Sequence, residues 1–125
     1  MATAIREVEA EAPMFDLGDW LVDRRRAMDG SEAAWLDVLA EFDRAEGWAD
    51  DGQLSGADWL QWRCKMARST AFEKLRIAHA LRRRPALAAA FAAGDISYSA
   101  VRLLTRLEDP SPEVEAALIS LAAQG

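Results

Sequence analysis

The sequence predicts an all-α protein, a compact bundle of about six to seven short helices. Apolar residues recur at helical spacing in several segments, β-branched residues are few, and no segment alternates with the period of a strand. The 125 residues are 51% hydrophobic and 29% charged, which fits one domain with a core. Residues 1–14 are acidic and weakly periodic, so we interpret them as a flexible arm that precedes a single helical domain at residues 15–125.

Two helices are predicted in the N-terminal part of the domain. The first begins near Asp16 or Asp19 and stops at Asp29–Gly30, a dipeptide that is typical of turns. Ser31 is the expected N-cap of the second helix, and Gly47 its expected C-cap. Helical spacing predicts that one side of the first helix faces the core through Leu17, Trp20, Leu21 and Met28.

Five further helices are predicted after a turn-rich connector at residues 47–54. Four of them begin at serine N-caps or at prolines that suit a first helical turn: Ser55, Pro85, Ser97, and Ser111 with Pro112. The remaining one begins at Thr70, which forms a capping-box pattern with Glu73, and continues to about Arg83. Its predicted buried stripe consists of Ala71, Leu75, Ala78 and Leu81.

Positive charge is concentrated in the segment from Trp59 to Leu107. This basic segment holds ten Lys or Arg residues and two acids, a net charge of +8, whereas residues 1–58 carry −10 and residues 108–125 carry −4. Neutralising nucleic-acid phosphates requires clustered cations, and only this segment of the acidic chain supplies them. The charge pattern therefore indicates a nucleic-acid-binding surface on a folded helical domain.

The basic segment resembles the domain of unknown function 222, an actinobacterial helical module, and the resemblance extends over about residues 20–107. It is carried by Trp59–Leu60, the helix from Ala71 to Leu81, Pro85, the sequence Ala93-Gly94-Asp95-Ile96-Ser97, and the helix from Tyr98 to Arg106. Members often place a glycine in the turn where this chain has Lys65. That family typically precedes an HNH nuclease domain, so the resemblance implies an association with HNH nucleases.

No catalytic residue, cofactor site or metal site is predicted in this chain. HNH chemistry needs a histidine base and a set of metal ligands, but the chain has only His79 and Cys64 as histidine and cysteine. We therefore expect a non-catalytic, C-terminally truncated domain. The single cysteine excludes an intramolecular disulfide, and no signal peptide or membrane-spanning run is recognisable. A cytoplasmic protein without membrane partners is expected.

The candidate DNA-binding element is a helix-turn-helix formed by residues 56–64 and 70–83, with the turn at residues 65–69. Two ordinary helices of a bundle with solvated arginines would give the same pattern, and the Arg82–Arg84 run could serve the C-terminal dipole of its helix instead of phosphate. The candidate nucleic-acid-binding residues are Arg63, Lys65, Arg68, Lys74, Arg76, Arg82, Arg83, Arg84, Arg102 and Arg106.

Two alternatives to DNA binding stay open. The acidic and basic segments could pair between copies or with a protein partner, or the chain could be an inactive truncated remnant. Tryptophans could stack on bases, but at helical spacing they are more often core residues. Among the five tryptophans, Trp48 lies in the connector and is expected to be the most exposed.

Overall fold

The computed structural model describes residues 16–125, and within that range the chain forms seven α-helices and no β-strand. In chain order they are α1 Leu17–Arg44, α2 Gly47–Asp50, α3 Gly56–Arg63, α4 Arg68–Arg82, α5 Pro85–Ala92, α6 Tyr98–Leu104 and α7 Pro112–Gln124. The predicted all-α bundle of six to seven helices is confirmed. The predicted arm, residues 1–14, lies outside the described residues.

Helix α1 is one continuous helix of 28 residues, so the predicted stop at Asp29–Gly30 is wrong. Asp29 is buried, and its carboxylate accepts a hydrogen bond from the backbone N–H of Tyr98 at 3.1 Å. A Cβ atom on Gly30 would lie 3.0 Å from the carbonyl oxygen of Ala92, so glycine permits a close approach to the end of α5. A dipeptide that is typical of a turn serves here as a tertiary contact within a helix.

The part of α1 before Asp29 holds no buried residue, contrary to the prediction that its apolar side is buried. Leu17, Leu21 and Met28 are 58%, 62% and 50% exposed. The first buried residue of the helix is Asp29, although α1 already contacts the connection between α5 and α6 at Arg26, whose Nε donates to the carbonyl of Gly94 at 2.9 Å. The spacing of these apolar residues therefore predicts the helix correctly but predicts their burial wrongly.

The core forms where α4 lies against α1, α3 and α5. Ala71, Ala78 and Leu81 of the predicted α4 stripe are buried, and Leu75 is half-buried. The short alanine side chains let α1 approach α4 closely. The largest fully buried side chains are Phe91, Leu36, Leu60, Ile77, Leu87, Ile96 and Val101.

Most predicted helix starts are confirmed by their caps. The hydroxyls of Ser55, Ser97 and Ser111 each accept a backbone N–H three residues later, at 3.1–3.2 Å. The Thr70 cap is wrong, because α4 begins at Arg68 with Ala67 as its N-cap and without a side-chain cap. The Gly47 C-cap is also wrong: α1 ends at Arg44, Glu46 adopts the left-handed φ of 55°, and Gly47 begins α2.

Gly94 ends the α5 segment in the left-handed conformation, with φ of 76°, and a Cβ atom there would lie 2.9 Å from the carbonyl oxygen of Arg26. Gly52 has nearly the same φ, 77°, but open space around its Cα.

We expect Gly52→Ala to lower the free energy of unfolding by about 1–2 kcal/mol through backbone strain alone. Gly94→Ala should cost about 1–3 kcal/mol more, because it also forces α1 and α5 apart. Urea denaturation measures both, and equal losses would contradict this packing role.

Candidate nucleic-acid interface

Helices α3 and α4 pack against each other across a four-residue turn, Cys64 to Ala67, as the helix-turn-helix hypothesis requires. Lys65 adopts a left-handed φ of 58° in this turn, and Met66 N–H reaches back to the carbonyl of Leu60 at 3.3 Å. Glycine adopts that backbone conformation at the least cost, which gives a physical reason for a glycine at this point of the turn. Here the strained residue is a lysine, and its side chain is exposed.

Helix α4 does not project from the bundle as a recognition helix does. Its residues Ile77, Ala78, Ala80 and Leu81 are buried. Along its exposed face, Arg76 donates to Thr105 and to the carbonyl of Arg102, at the C-terminal part of α6. A recognition helix enters the major groove with one face free of neighbouring elements. The presence of α6 beside this face favours contact across a surface over insertion of α4 into a groove.

One carboxylate, that of Glu73, binds three arginines between α4 and α6. It accepts hydrogen bonds from Arg76 Nε at 2.5 Å, Arg102 Nε at 3.2 Å and Arg106 Nη2 at 2.9 Å. The hydrogen bond from Arg76 is the main reason why the pKa of Glu73 is lowered from 4.5 to about 2. Burial opposes this shift, and the charges of Arg76 and Arg106 and the hydrogen bond from Arg102 add to it. Three cations against one anion leave a positive excess at this cluster.

The cluster lines an open cleft of about 600 Å³ between α4 and α6. Four cationic side chains and one carboxylate are among the residues that line it. The lining residues are Ser69, Thr70, Phe72, Glu73, Lys74, Arg76, Tyr98, Arg102 and Arg106. Lys74 is less available than the arginines, because it forms an ion pair with Glu32 of α1 and lies 3.9 Å from the centre of the Tyr98 ring. Most of the positive charge available to a ligand therefore comes from Arg76, Arg102 and Arg106.

Three further cations, Arg63, Lys65 and Arg68, lie at the α3–α4 turn and are exposed. Within residues 16–125, no ion pair joins any of them to a carboxylate. The guanidinium carbon of Arg63 lies 5.3 Å from the centre of the Trp62 ring, and that of Arg68 lies 4.9 Å from the centre of the Phe72 ring. We call the turn and cluster together the cationic surface: Arg63, Lys65, Arg68, Arg76, Arg102 and Arg106.

The Arg82–Arg84 run does not form a compact patch. Arg82 pairs with Asp37 of α1 at 2.8 Å, whereas Arg83 is exposed and has no ion pair among the described residues. Arg84 is buried: its guanidinium binds Glu115 of α7 at 3.1 Å. It also donates to the carbonyl of Leu104, the last residue of α6, at 2.6 Å and to the carbonyl of Leu107, just after that helix, at 3.1 Å. Arg84 thus connects α5, α6 and α7 and is removed from the surface that a phosphate could reach.

The remaining single-residue candidates have structural partners. His79 Nε2 lies 2.7 Å from a carboxylate oxygen of Asp43, whose other oxygen accepts from Trp48 Nε1 at 3.0 Å. Trp48 is therefore half-buried, and the expectation that it is the most exposed tryptophan is wrong, because Trp62 is more exposed, at 46%. Among residues 16–125, no group of three or more His, Cys, Asp or Glu side chains is placed to hold a metal ion.

The central position of Glu73 is not predicted from the sequence, where Glu73 forms a capping-box pattern with Thr70. The available signal was that Glu73 and Asp95 are the only acids in the basic segment. An acid that is surrounded in sequence by arginines at helical spacing is a candidate to bind several of them. The places of Phe72 and Tyr98 in this cleft are not predicted either, because aromatic residues at helical spacing are more often core residues.

Because the folded state lowers the pKa of Glu73, it binds fewer protons than the unfolded state between pH 4.5 and about 2. The stabilisation by Glu73 is complete above the unfolded pKa and is lost as the pH falls through that range. We expect the stability difference between the wild type and Glu73→Gln, measured by urea denaturation, to be largest near neutral pH and to shrink as the pH approaches 2. Glu46→Gln, at an exposed acid without a side-chain cap bond, is the control. A difference that is independent of pH would contradict the predicted charge interaction.

No curated protein and no solved structure matches the chain. Across residues 16–125, no helix is both long enough and apolar enough to cross a membrane. The sequence model for a domain of unknown function (DUF222) matches residues 21–123, which include every helix from α2 to α6, most of α1 and nearly all of α7. The chain therefore belongs to the DUF222 family.

Proposed function

We propose that this domain binds nucleic acid in the cytoplasm through the cationic surface. The observation that carries the proposal is that three arginines of α4 and α6 share one carboxylate at the wall of an open cleft. Arg63, Lys65 and Arg68 extend the positive charge to the adjoining turn. The whole chain has a net charge of −6, so attraction of a polyanion would depend on this local concentration of cations.

The geometry of the cluster supports phosphate binding. A guanidinium has five N–H donors, and arginine can bind phosphate oxygens in bidentate fashion. Arg102 and Arg106 each donate to Glu73 and keep further donors for phosphate, whereas Arg76 also donates to Thr105 and to the carbonyl of Arg102. Arg102 and Arg106 keep about half of their side-chain surface exposed, at 49% and 58%. Glu73 holds the three side chains at one place before the ligand arrives, which reduces the entropy that binding would cost.

We further propose that such binding positions an HNH nuclease, in line with the association that the family resemblance implies. The residues described here would then supply non-specific phosphate contacts, and the nuclease would supply the chemistry. Contacts to phosphate fix position without reading sequence, so little discrimination between base sequences is expected from this surface.

Replacing Arg102 and Arg106 by glutamine tests the proposed surface. We expect the double variant to bind a labelled DNA more weakly at low salt, and its log–log slope of affinity against salt to be smaller by about 2. The control is the double variant Arg44→Gln with Arg82→Gln. It removes the same formal charge outside the cationic surface, where Arg44 pairs with Glu41 and Arg82 with Asp37. Fluorescence anisotropy across a salt titration measures both. Equal weakening by the two double variants, or no binding at low salt, would contradict the proposal.

Glu73→Gln should act in the opposite direction. Removing the one anion of the cluster strengthens the attraction of phosphate, and a unit charge at about 4 Å in water corresponds to about a fivefold gain in affinity. Glu73 accepts from Arg76 at Oε1 and from Arg102 and Arg106 at Oε2. Glutamine has one acceptor oxygen, so it keeps only the hydrogen bonds at that position and holds the arginines less tightly. The control is Glu41→Gln, because Glu41 pairs with Arg44 and Arg82 away from the cleft. Weaker binding by Glu73→Gln would mean that ordering the arginines matters more than their net charge.

Charge-driven self-assembly, the alternative function, has less support. Much of the attraction between the acidic and basic segments acts within one chain, where Lys74 pairs with Glu32, His79 with Asp43, and Arg82 with Asp37. Fewer charges are then left for a second copy. Measurement of mass in solution at low and high salt tests this alternative: an assembly that dissociates on adding salt would support it.

A further inference from the structure

Two aromatic rings beside the cationic surface are exposed to solvent. Trp62, in the last turn of α3, is 46% exposed, and Phe72, in the second turn of α4, is 50% exposed. Each has the guanidinium of an arginine over its ring, Arg63 in one case and Arg68 in the other. Neither ring belongs to the hydrophobic core, so core packing does not explain why aromatic residues occupy these positions.

We infer that the cationic surface binds single-stranded nucleic acid, with unpaired bases stacking on Phe72 and Trp62. This inference rests on the proposed function and specifies its ligand. Surfaces that bind single strands combine cations along the backbone path with aromatic rings that stack on successive bases. Base faces are covered in a duplex by the neighbouring base pairs, so a base can stack on these rings without the cost of unstacking only when it is unpaired.

The position of Phe72 brings both kinds of contact into one cleft. Phe72 lines the same cleft as Arg76, Arg102 and Arg106, so a base on its ring would have its phosphate within reach of the arginine cluster. Tyr98 lines the other side of that cleft, but its ring is half-buried and faces Lys74. The Phe72 ring is therefore the more available stacking surface of the two.

The arginines over the two rings add further stacking surface. A guanidinium over an aromatic face is planar, and a base can stack on it as well as on the ring itself. Arg63 over Trp62 and Arg68 over Phe72 thus form two layered surfaces, the first just before the α3–α4 turn in the sequence and the second just after it. Lys65, which lies between these residues in the sequence, is exposed and has no ion-pair partner among the described residues, so its ammonium is available to a phosphate.

The test compares a single-stranded oligodeoxythymidylate with a DNA duplex of the same length, by fluorescence anisotropy at matched low salt. We expect the wild type to prefer the single strand. Phe72→Ala and Trp62→Ala should each weaken single-strand binding about tenfold and leave duplex binding and the salt slope unchanged. Phe72→Tyr and Trp62→Phe keep an aromatic ring, so these variants should bind the single strand as tightly as the wild type does. Leu54→Ala, at an 86% exposed leucine, is the control for loss of apolar surface, and circular dichroism checks the fold of each variant.

The outcomes separate this inference from the proposed function. The stacking inference is overturned if the wild type binds the duplex as tightly as the single strand. It is also overturned if the alanine variants bind the single strand as tightly as the wild type does. The proposed function survives that result as long as Arg102→Gln with Arg106→Gln still weakens binding to both ligands. If neither ligand binds at low salt, the proposed function is overturned and the inference with it.

Discussion

The packing of α4 against α1 is the constraint on which the rest of the structure depends. Between Ile77 and Leu81 every residue of α4 except His79 is buried, and His79 itself contacts Asp43 of α1. Alanine at positions 71 and 78 lets the two helix axes approach, and Leu36 and Leu39 of α1 are buried in the same core. Because this contact fixes which side of α4 faces inward, it also fixes the outward direction of Phe72 and Arg76. The cationic surface is in this sense a consequence of the core.

The helix ends that local chemistry determines were predictable from the sequence. A serine hydroxyl that caps the third N–H, or a proline in a first turn, acts within a few residues, so Ser55, Ser97 and Ser111 could be identified without tertiary information. Asp29 and Gly30 could not. Asp29 satisfies the N-terminus of α6, 69 residues away, and Gly30 accommodates the backbone of α5. Residues that favour turns are also those that permit close contacts, and only the fold distinguishes the two uses.

The same limit applies to the candidate site. The basic segment could be located by its charge, but the contacts of each arginine depend on the fold. Arg82, Arg83 and Arg84 are adjacent in sequence yet lie across the end of α4, where the backbone leaves the helix at Arg84 with φ of −135°. One therefore contacts α1, one faces solvent and one is buried against α6 and α7. Arg76 and Arg102, 26 positions apart, meet instead at Glu73.

The distribution of acids explains how an acidic protein can present a positive face. Acids of α1 pair with the cations of α4 that face α1, so the charges of Lys74 and Arg82 are largely neutralised. On the opposite side only Glu73 faces Arg76, Arg102 and Arg106, and the turn cations have no acid partner among the described residues. At physiological salt the screening length is about 8 Å, so a ligand close to this face senses mainly the local cations. The net charge of −6 therefore limits long-range attraction of a polyanion but does not prevent contact at this surface.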